Sequence, residues 1–147
     1  MKDELLVPVL LDEGASAPEY RSAQAAGADL RANLVEPLRL EPLERAAVPT
    51  GIRLELPEGW EGQVRPRSGL ALSRGLGCIN SPGTIDSDYR GEIKVILVNL
   101  SNQAAVIQPG ERIAQLVLSP VGRGRFEARD SLLETARGEG GFGSTGS

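Results

Sequence analysis

The sequence predicts an all-β domain (a sandwich, jelly roll or barrel) with one short helix and a flexible C-terminal arm. Three observations carry that prediction. The chain has 18 glycines and 10 prolines in 147 residues, and they recur at short intervals, as turns between short strands do. The apolar residues between them form short runs rich in Val, Ile and Leu. No long stretch carries the helical apolar period. Strands at this spacing close into two-layer all-β architectures.

The elements follow in order. Leu5 to Leu11 is apolar but contains Pro8, which cannot donate to a ladder, so it reads as an edge strand. Ala28 to Leu34 alternates weakly. Arg45 to Val48 precedes Pro49 and a turn at Thr50-Gly51. Ile52-Arg53-Leu54-Glu55-Leu56 alternates cleanly and stops at Pro57. Gly62 to Pro66 is short. Glu92 to Leu100 has the strongest strand composition, and after a turn at Gln108-Pro109-Gly110 comes another β-like run, Arg112 to Leu118. The helix is expected at Gly69 to Arg74, with Ser68 as N-cap and Gly75 as the left-handed residue past its end. From Val121 the chain becomes linker-like, and residues 137–147 read as a glycine-rich tail.

Composition excludes several classes of chemistry. There is no histidine, so a Ser-His-Asp or Cys-His nucleophile and an imidazole-ligated zinc site are impossible. A hydrolytic base must be a carboxylate, a lysine, a tyrosine or a metal-bound water. The single cysteine, Cys78, forms no internal disulfide and suits a reducing compartment. A net charge of −4 argues against nucleic acid as a partner, because sequence-independent binding rests on basic surface. The charged start Met1-Lys2-Asp3-Glu4 is unlike a signal peptide. The apolar runs are too short to span a bilayer. The expectation is a cytoplasmic chain with no membrane partner.

Three segments can carry chemistry. Pro66-Arg67-Ser68-Gly69-Leu70-Ala71 places an arginine, a hydroxyl and a small residue where a helix begins, which suits a phosphate. Read alone it equally fits a plain capped helix with a surface arginine. Gly83-Thr84-Ile85-Asp86-Ser87-Asp88-Tyr89-Arg90-Gly91 holds two carboxylates that share a side if the backbone is extended. Either could act as a base, and Tyr89 could pack against a sugar. Alone, the segment also fits a turn before a strand. The tail's Gly138-x-Gly140-x-x-Gly143 is no dinucleotide fingerprint, since no strand precedes it and only four residues follow. Its N–H groups, Ser144 and Thr145 could wrap a phosphate while Phe142 stacks on a base. Together these are the parts of a nucleoside-triphosphate site. Chemistry alone fixes neither the base nor the reaction.

With those segments in place, the chain resembles the trimeric deoxyuridine triphosphatases in all five of their motifs, in order. Ala26-Gly27-Ala28-Asp29-Leu30-Arg31-Ala32 resembles the first. The Pro66 to Ala71 segment resembles the second, and Gly83 to Gly91 the third. Gly110-Glu111-Arg112-Ile113-Ala114-Gln115-Leu116 resembles the fourth, and Arg137 to Gly146 the fifth. The resemblance covers nearly the whole chain. It implies a jelly-roll-like β fold over residues 1–122 and an arm at 123–147 that closes over an active site shared within a homotrimer. It implies dUTP as substrate, hydrolysed to dUMP and pyrophosphate, with Mg²⁺ held by the triphosphate. By position it makes Asp86 the base that activates water and a contact to the 3′-hydroxyl. Tyr89 then lies under the deoxyribose. Asn80 and the backbone of Gly83, Thr84 and Ile85 read the uracil edge, and Lys94 adds a backbone contact. Arg67, Ser68, Gly69 and Gln115 hold phosphates, and Asp29 meets the metal through water. Arg137, Phe142, Gly143, Ser144 and Thr145 belong to the closing arm.

Two rivals share the expected fold. A dCTP deaminase needs a glutamate placed at the cytosine ring, whereas the Asp86 to Arg90 run and the full fifth motif resemble the hydrolase. A non-catalytic nucleotide-binding trimer would have no need of Asp86.

Overall fold

The computed structural model describes residues 4–141. Its eleven strands and one helix follow the order β1 (Val9–Leu11), β2 (Glu19–Tyr20), β3 (Ala28–Arg31), β4 (Leu38–Leu40), β5 (Arg45–Leu54), β6 (Trp60–Arg65), α1 (Ser68–Arg74), β7 (Leu76–Cys78), β8 (Gly83–Ile85), β9 (Ile93–Asn99), β10 (Ala105–Ile107) and β11 (Arg112–Pro120). They form a four-stranded sheet β1-β5-β9-β7, a five-stranded sheet β2-β3-β11-β6-β8, and a two-stranded ribbon β10-β4. Every pairing is antiparallel. This is the jelly-roll-like architecture that the sequence predicts.

One apolar core joins all three sheets. Val48, Ile52, Ile93, Val95 and Leu97 come from the four-stranded sheet; Leu30, Val64, Ile113 and Leu116 come from the five-stranded one; Leu40 and Ile107 come from the ribbon. β9 shows why: Ile93, Val95 and Leu97 point inward while Lys94 between them is exposed, the period-2 signature of a half-buried strand. Apolar burial of this kind, at roughly 25 cal/mol per Å², is the main favourable term in folding.

The predicted strands form, with shifted ends. β1 is an edge strand but starts only at Val9, after Pro8. The largest departure is β5. The break expected at Pro49-Thr50-Gly51 is absent, because the extra residues are absorbed as a bulge between Pro49 and Ile52. Gly51 takes a φ of 67°, and a Cβ there would lie 2.5 Å from Asn33 Nδ2. Buried Thr50 donates from Oγ1 to Ile93 O at 2.6 Å and accepts from Ile52 N–H at 3.3 Å. The bulge therefore leaves Thr50 satisfied, and the ladder resumes beyond it. The short strands β2, β4, β7, β8 and β10 had no sequence signal of their own.

The helix spans the expected residues with a different start. Arg67, not Ser68, is the N-cap, with extended φ −97° and ψ 129° and no side-chain cap hydrogen bond. The Ser68 N-cap assignment is therefore corrected: the chain enters the helix one residue earlier, and the Arg67 side chain is directed to β3 instead. Gly75 closes the helix in the left-handed conformation at φ 63°, as expected, with its N–H on Ala71 O.

Beyond β11 the chain forms no further strand or helix among the described residues, and Val121 to Glu139 are exposed throughout. No helix among the described residues is long and apolar enough to cross a membrane.

Candidate active site

The site begins where three neighbouring strands of the five-stranded sheet come together. Gln115 on β11 lies level with Asp29 on β3 and with Arg65 on β6. Two residues past Arg65 the chain reaches Arg67 and helix α1. One open cleft of about 300 Å³ results, lined by Gly27, Asp29, Arg67, Ser68, Gly69, Gln115, and by Arg21 and Arg112. The sequence-predicted phosphate ligands Arg67, Ser68, Gly69 and Gln115 are thus brought together with Asp29.

Asp29 organises the cleft. It is 7% exposed and would be costly as an unpaired charge. Its Oδ1 lies 3.2 Å from Arg67 Nε, and its Oδ2 accepts from Arg112 Nη1 at 3.0 Å. Arg67 Nη1 also donates to Arg112 O at 3.1 Å. The carboxylate thus holds two guanidiniums apart and aims them into one space. Gln115 donates from Nε2 to Pro66 O at 2.9 Å, which leaves its carbonyl end toward Gly27. A Cβ at Gly27 would collide with that side-chain amide as it is placed, so a larger residue here would displace Gln115. Three arginines against one aspartate leave the lining electropositive, suited to a polyphosphate.

The remaining predicted residues form a second group. Gly83, Thr84 and Ile85 make β8, at the edge of the same sheet. Gly83 is buried, and a Cβ on it would meet Asn80 Nδ2 at 3.2 Å, so Asn80 packs directly on this strand. Next, Tyr89 N–H donates to Asp86 O at 3.1 Å. That bond makes residues 86–89 a turn. The extended reading that would put Asp86 and Asp88 on one side is corrected. The turn presents Asp86 to solvent, and its carboxylate accepts no hydrogen bond from any described residue. Tyr89 is fixed by its hydroxyl, which donates to Glu92 O at 3.0 Å. Its ring covers Gly91, where a Cβ would collide with it. Lys94 points outward on β9, its Nζ 3.6 Å from Glu92 Oε2.

Within one chain the two groups stay apart. β6 runs toward the cleft, and β8 runs back along it, with Gly83 level with Val64 and Ile85 level with Gly62. Ile85, where this ladder ends, is three residues along the strand from Arg65, or about 10 Å at the usual rise, and Asp86 follows it in the turn. Asp86, Asn80, Tyr89 and Lys94 accordingly do not line the cleft. Arg137 also lies elsewhere, its Nε donating to Gly140 O at 2.8 Å in an exposed turn. Phe142, Gly143, Ser144 and Thr145 lie outside the described residues.

Sequence reasoning assigned no role to Gly27, Arg112 or Arg21. The first two stand inside quoted motifs, but nothing in their spacing shows the Asp29 contact or the Gln115 packing. Arg21 lies in a loop with no motif.

A jelly-roll-like chain whose cleft gathers guanidiniums, apart from a solvent-facing carboxylate turn, has the features of a phosphate-ester-binding protein. Residues 13–146 match the dUTPase family, and the chain belongs to it. A deoxyuridine 5′-triphosphate nucleotidohydrolase of Chlamydia pneumoniae is 61% identical over 137 residues, covering 92% of this chain and 94% of its own. One from Fusobacterium nucleatum is 53% identical over 140 residues, covering 95% and 96%. Among solved structures, the Staphylococcus bacteriophage 80alpha dUTPase with dUPNHPP superposes with a TM-score of 0.87. It is 27% identical and covers 97% of this chain and 99% of that one.

Proposed function

We propose that this chain is a dUTP diphosphatase. It hydrolyses dUTP to dUMP and pyrophosphate, which limits uracil in DNA and supplies dUMP for dTMP synthesis. Family membership supports the substrate. The single observation that carries the mechanism is the separation of the Arg67 cleft from Asp86 within one chain. A working site then combines the cleft of one subunit with the Asp86 turn of another, in a homotrimer with three such sites.

In this reading Arg67, Ser68, Gly69 and Gln115 hold the phosphates. Asn80 and the backbone of Gly83 to Ile85 take the uracil edge, with a backbone contact from Lys94. Tyr89, held by its bond to Glu92 O, lies under the deoxyribose and leaves no room for a 2′-hydroxyl. A water attacks the α-phosphorus in line, and the bridging oxygen departs with pyrophosphate. Asp86 takes the water's proton, which suits a chain without histidine.

The cleft offers one carboxylate, Asp29, with both oxygens already on arginines. That donor set fits Mg²⁺ carried by the triphosphate and met by Asp29 through water, the usual habit of a reluctantly dehydrated ion. When bound, Mg²⁺ offsets charge on the phosphate oxygens.

Residues 1–122 form the body and 123–147 the arm that closes over a trimer site, bringing Arg137, Phe142, Gly143, Ser144 and Thr145 to the nucleotide. The arm's Phe126, Leu132 and Leu133 are 98%, 88% and 95% exposed. Apolar side chains left so bare on their own chain suit burial against a neighbouring subunit. The enzyme acts in the cytoplasm, with no nucleic acid or membrane partner.

Pyrophosphate release from dUTP with Mg²⁺ tests the activity. Asp86→Asn should retain binding of a non-hydrolysable dUTP analogue while kcat falls by about 10²–10⁴. Near-normal turnover in that variant refutes the base assignment.

A further inference from the structure

We propose that Arg21 is a supplementary ligand for the pyrophosphate portion of the substrate, contributed by the β2–β3 loop rather than by any of the five motifs. The inference rests on the reading that the Arg67 cleft holds phosphates. Arg21 lines that cleft. Unlike Arg67 and Arg112, it is not tied to Asp29.

Its only partner among the described residues is Glu19, whose Oε1 accepts from Arg21 Nη1 at 2.7 Å. Both side chains are about half exposed, 55% and 51%, and pairs of this kind are weak. Glu19 also has a second cation: its Oε2 lies 3.7 Å from Arg31 Nη2. Arg31 is anchored in turn by donating to Gly110 O at 3.0 Å. When Arg21 turns from Glu19 to an anion, Glu19 keeps a partner, so the switch leaves no carboxylate unpaired. A guanidinium on a phosphate is charge-assisted and bidentate, and so outweighs the exposed pair it replaces.

The loop is placed to deliver this interaction. Its two ends are held by the pairing of Glu19 with Asp29 and of Tyr20 with Ala28. Gly27 packs against Gln115 at the cleft. The arginine's side chain is half exposed, and its backbone follows directly on the paired Tyr20. With Asp29 already shared by two guanidiniums, a third positive charge raises the affinity for the most highly charged part of the ligand.

The test is steady-state kinetics of the full-length enzyme with dUTP and Mg²⁺, with inhibition by pyrophosphate and by dUMP measured in parallel. Arg21→Gln should raise KM for dUTP and Ki for pyrophosphate about fivefold, with kcat within about twofold and Ki for dUMP unchanged. Arg21→Lys should recover part of the loss. The KM of Arg21→Gln should also depend less on salt than that of the wild type. Glu19→Gln breaks the same ion pair but should leave KM unchanged or lower. If Glu19→Gln raises KM as much as Arg21→Gln, Arg21 is a loop brace and the proposal fails. It also fails if KM for Arg21→Gln is unchanged, or if Ki for dUMP rises with Ki for pyrophosphate. Arg67→Gln separates the two levels: no change in its KM overturns the cleft reading itself, whereas a loss there with none at Arg21 overturns only this proposal.

Discussion

Asp29 and Arg112 lie 83 residues apart in sequence and meet at 3.0 Å on paired strands. The same carboxylate reaches Arg67 with its other oxygen. Three segments of chain are thus locked into one cleft by a single buried anion. Asp29→Asn keeps the shape but turns an amide N–H₂ toward a guanidinium. We expect a loss of about 1–3 kcal/mol in urea denaturation, the range for a buried charge contact left unmet. KM for dUTP should rise with it, because both arginines lose their alignment. A variant as stable as the parent would show that the contact is solvated and weak.

Leu43 has a φ of 65° and is 73% exposed. A left-handed leucine is strained, and here little burial offsets the strain. Leu43→Gly or Leu43→Asn should raise the thermal midpoint, for a gain of about 0.5–1 kcal/mol after the chain-entropy cost of glycine. The midpoint in differential scanning calorimetry checks the sign.

Cys78 is buried in the core, and desolvation pushes its thiol up from 9.0 to about 11. Between those values the unfolded chain has released a proton that the folded chain still holds. Stability should therefore fall as pH rises from about 9 to about 11 on this account, and Cys78 should contribute no pH dependence below it. The slope should be shallower in Cys78→Ala. The native thiol should also resist iodoacetamide at pH 8, since the reactive thiolate is suppressed. Rapid native-state labelling would contradict the burial.

Deleting residues 137–147 should leave the thermal midpoint of the body almost unchanged, because the segment from Val121 to Glu139 is exposed rather than packed on its own chain. Activity should drop by about 100-fold, the cost of a site that cannot exclude bulk water. Full activity in the truncated chain would remove the arm from the mechanism.

Much of this architecture was legible locally. Gly75 marks the helix end because a left-handed cap is a one-residue requirement. Glu92 to Leu100 marks β9 because a run rich in Val, Ile and Leu can be read without its partner. Strands of two or three residues, such as β2 and β8, cannot show a period and exist only through pairing. The bulge at Thr50-Gly51 looked like a turn because glycine permits both, and the outcome depends on Ile93 O accepting from Thr50. Of the proposed phosphate ligands, Arg67, Ser68 and Gly69 were legible as a helix start suited to an anion, and Gln115 came from motif resemblance. Asp29's hold on Arg67 and Arg112 was not legible, since a contact across three strands leaves no trace in spacing. The distance between Asp86 and the cleft follows only from the register of β6 and β8.

That distance makes the central claim open to a mixing experiment. Asp86→Asn and Arg67→Gln should each be nearly inactive alone. Unfolded together in equal amounts and refolded, they should regain about a quarter of wild-type turnover. Random assembly gives that share of sites an intact Arg67 from one chain and an intact Asp86 from another. Activity that stays at the level of the separate variants, with mixed assembly confirmed by mass, would mean that each chain builds its own site.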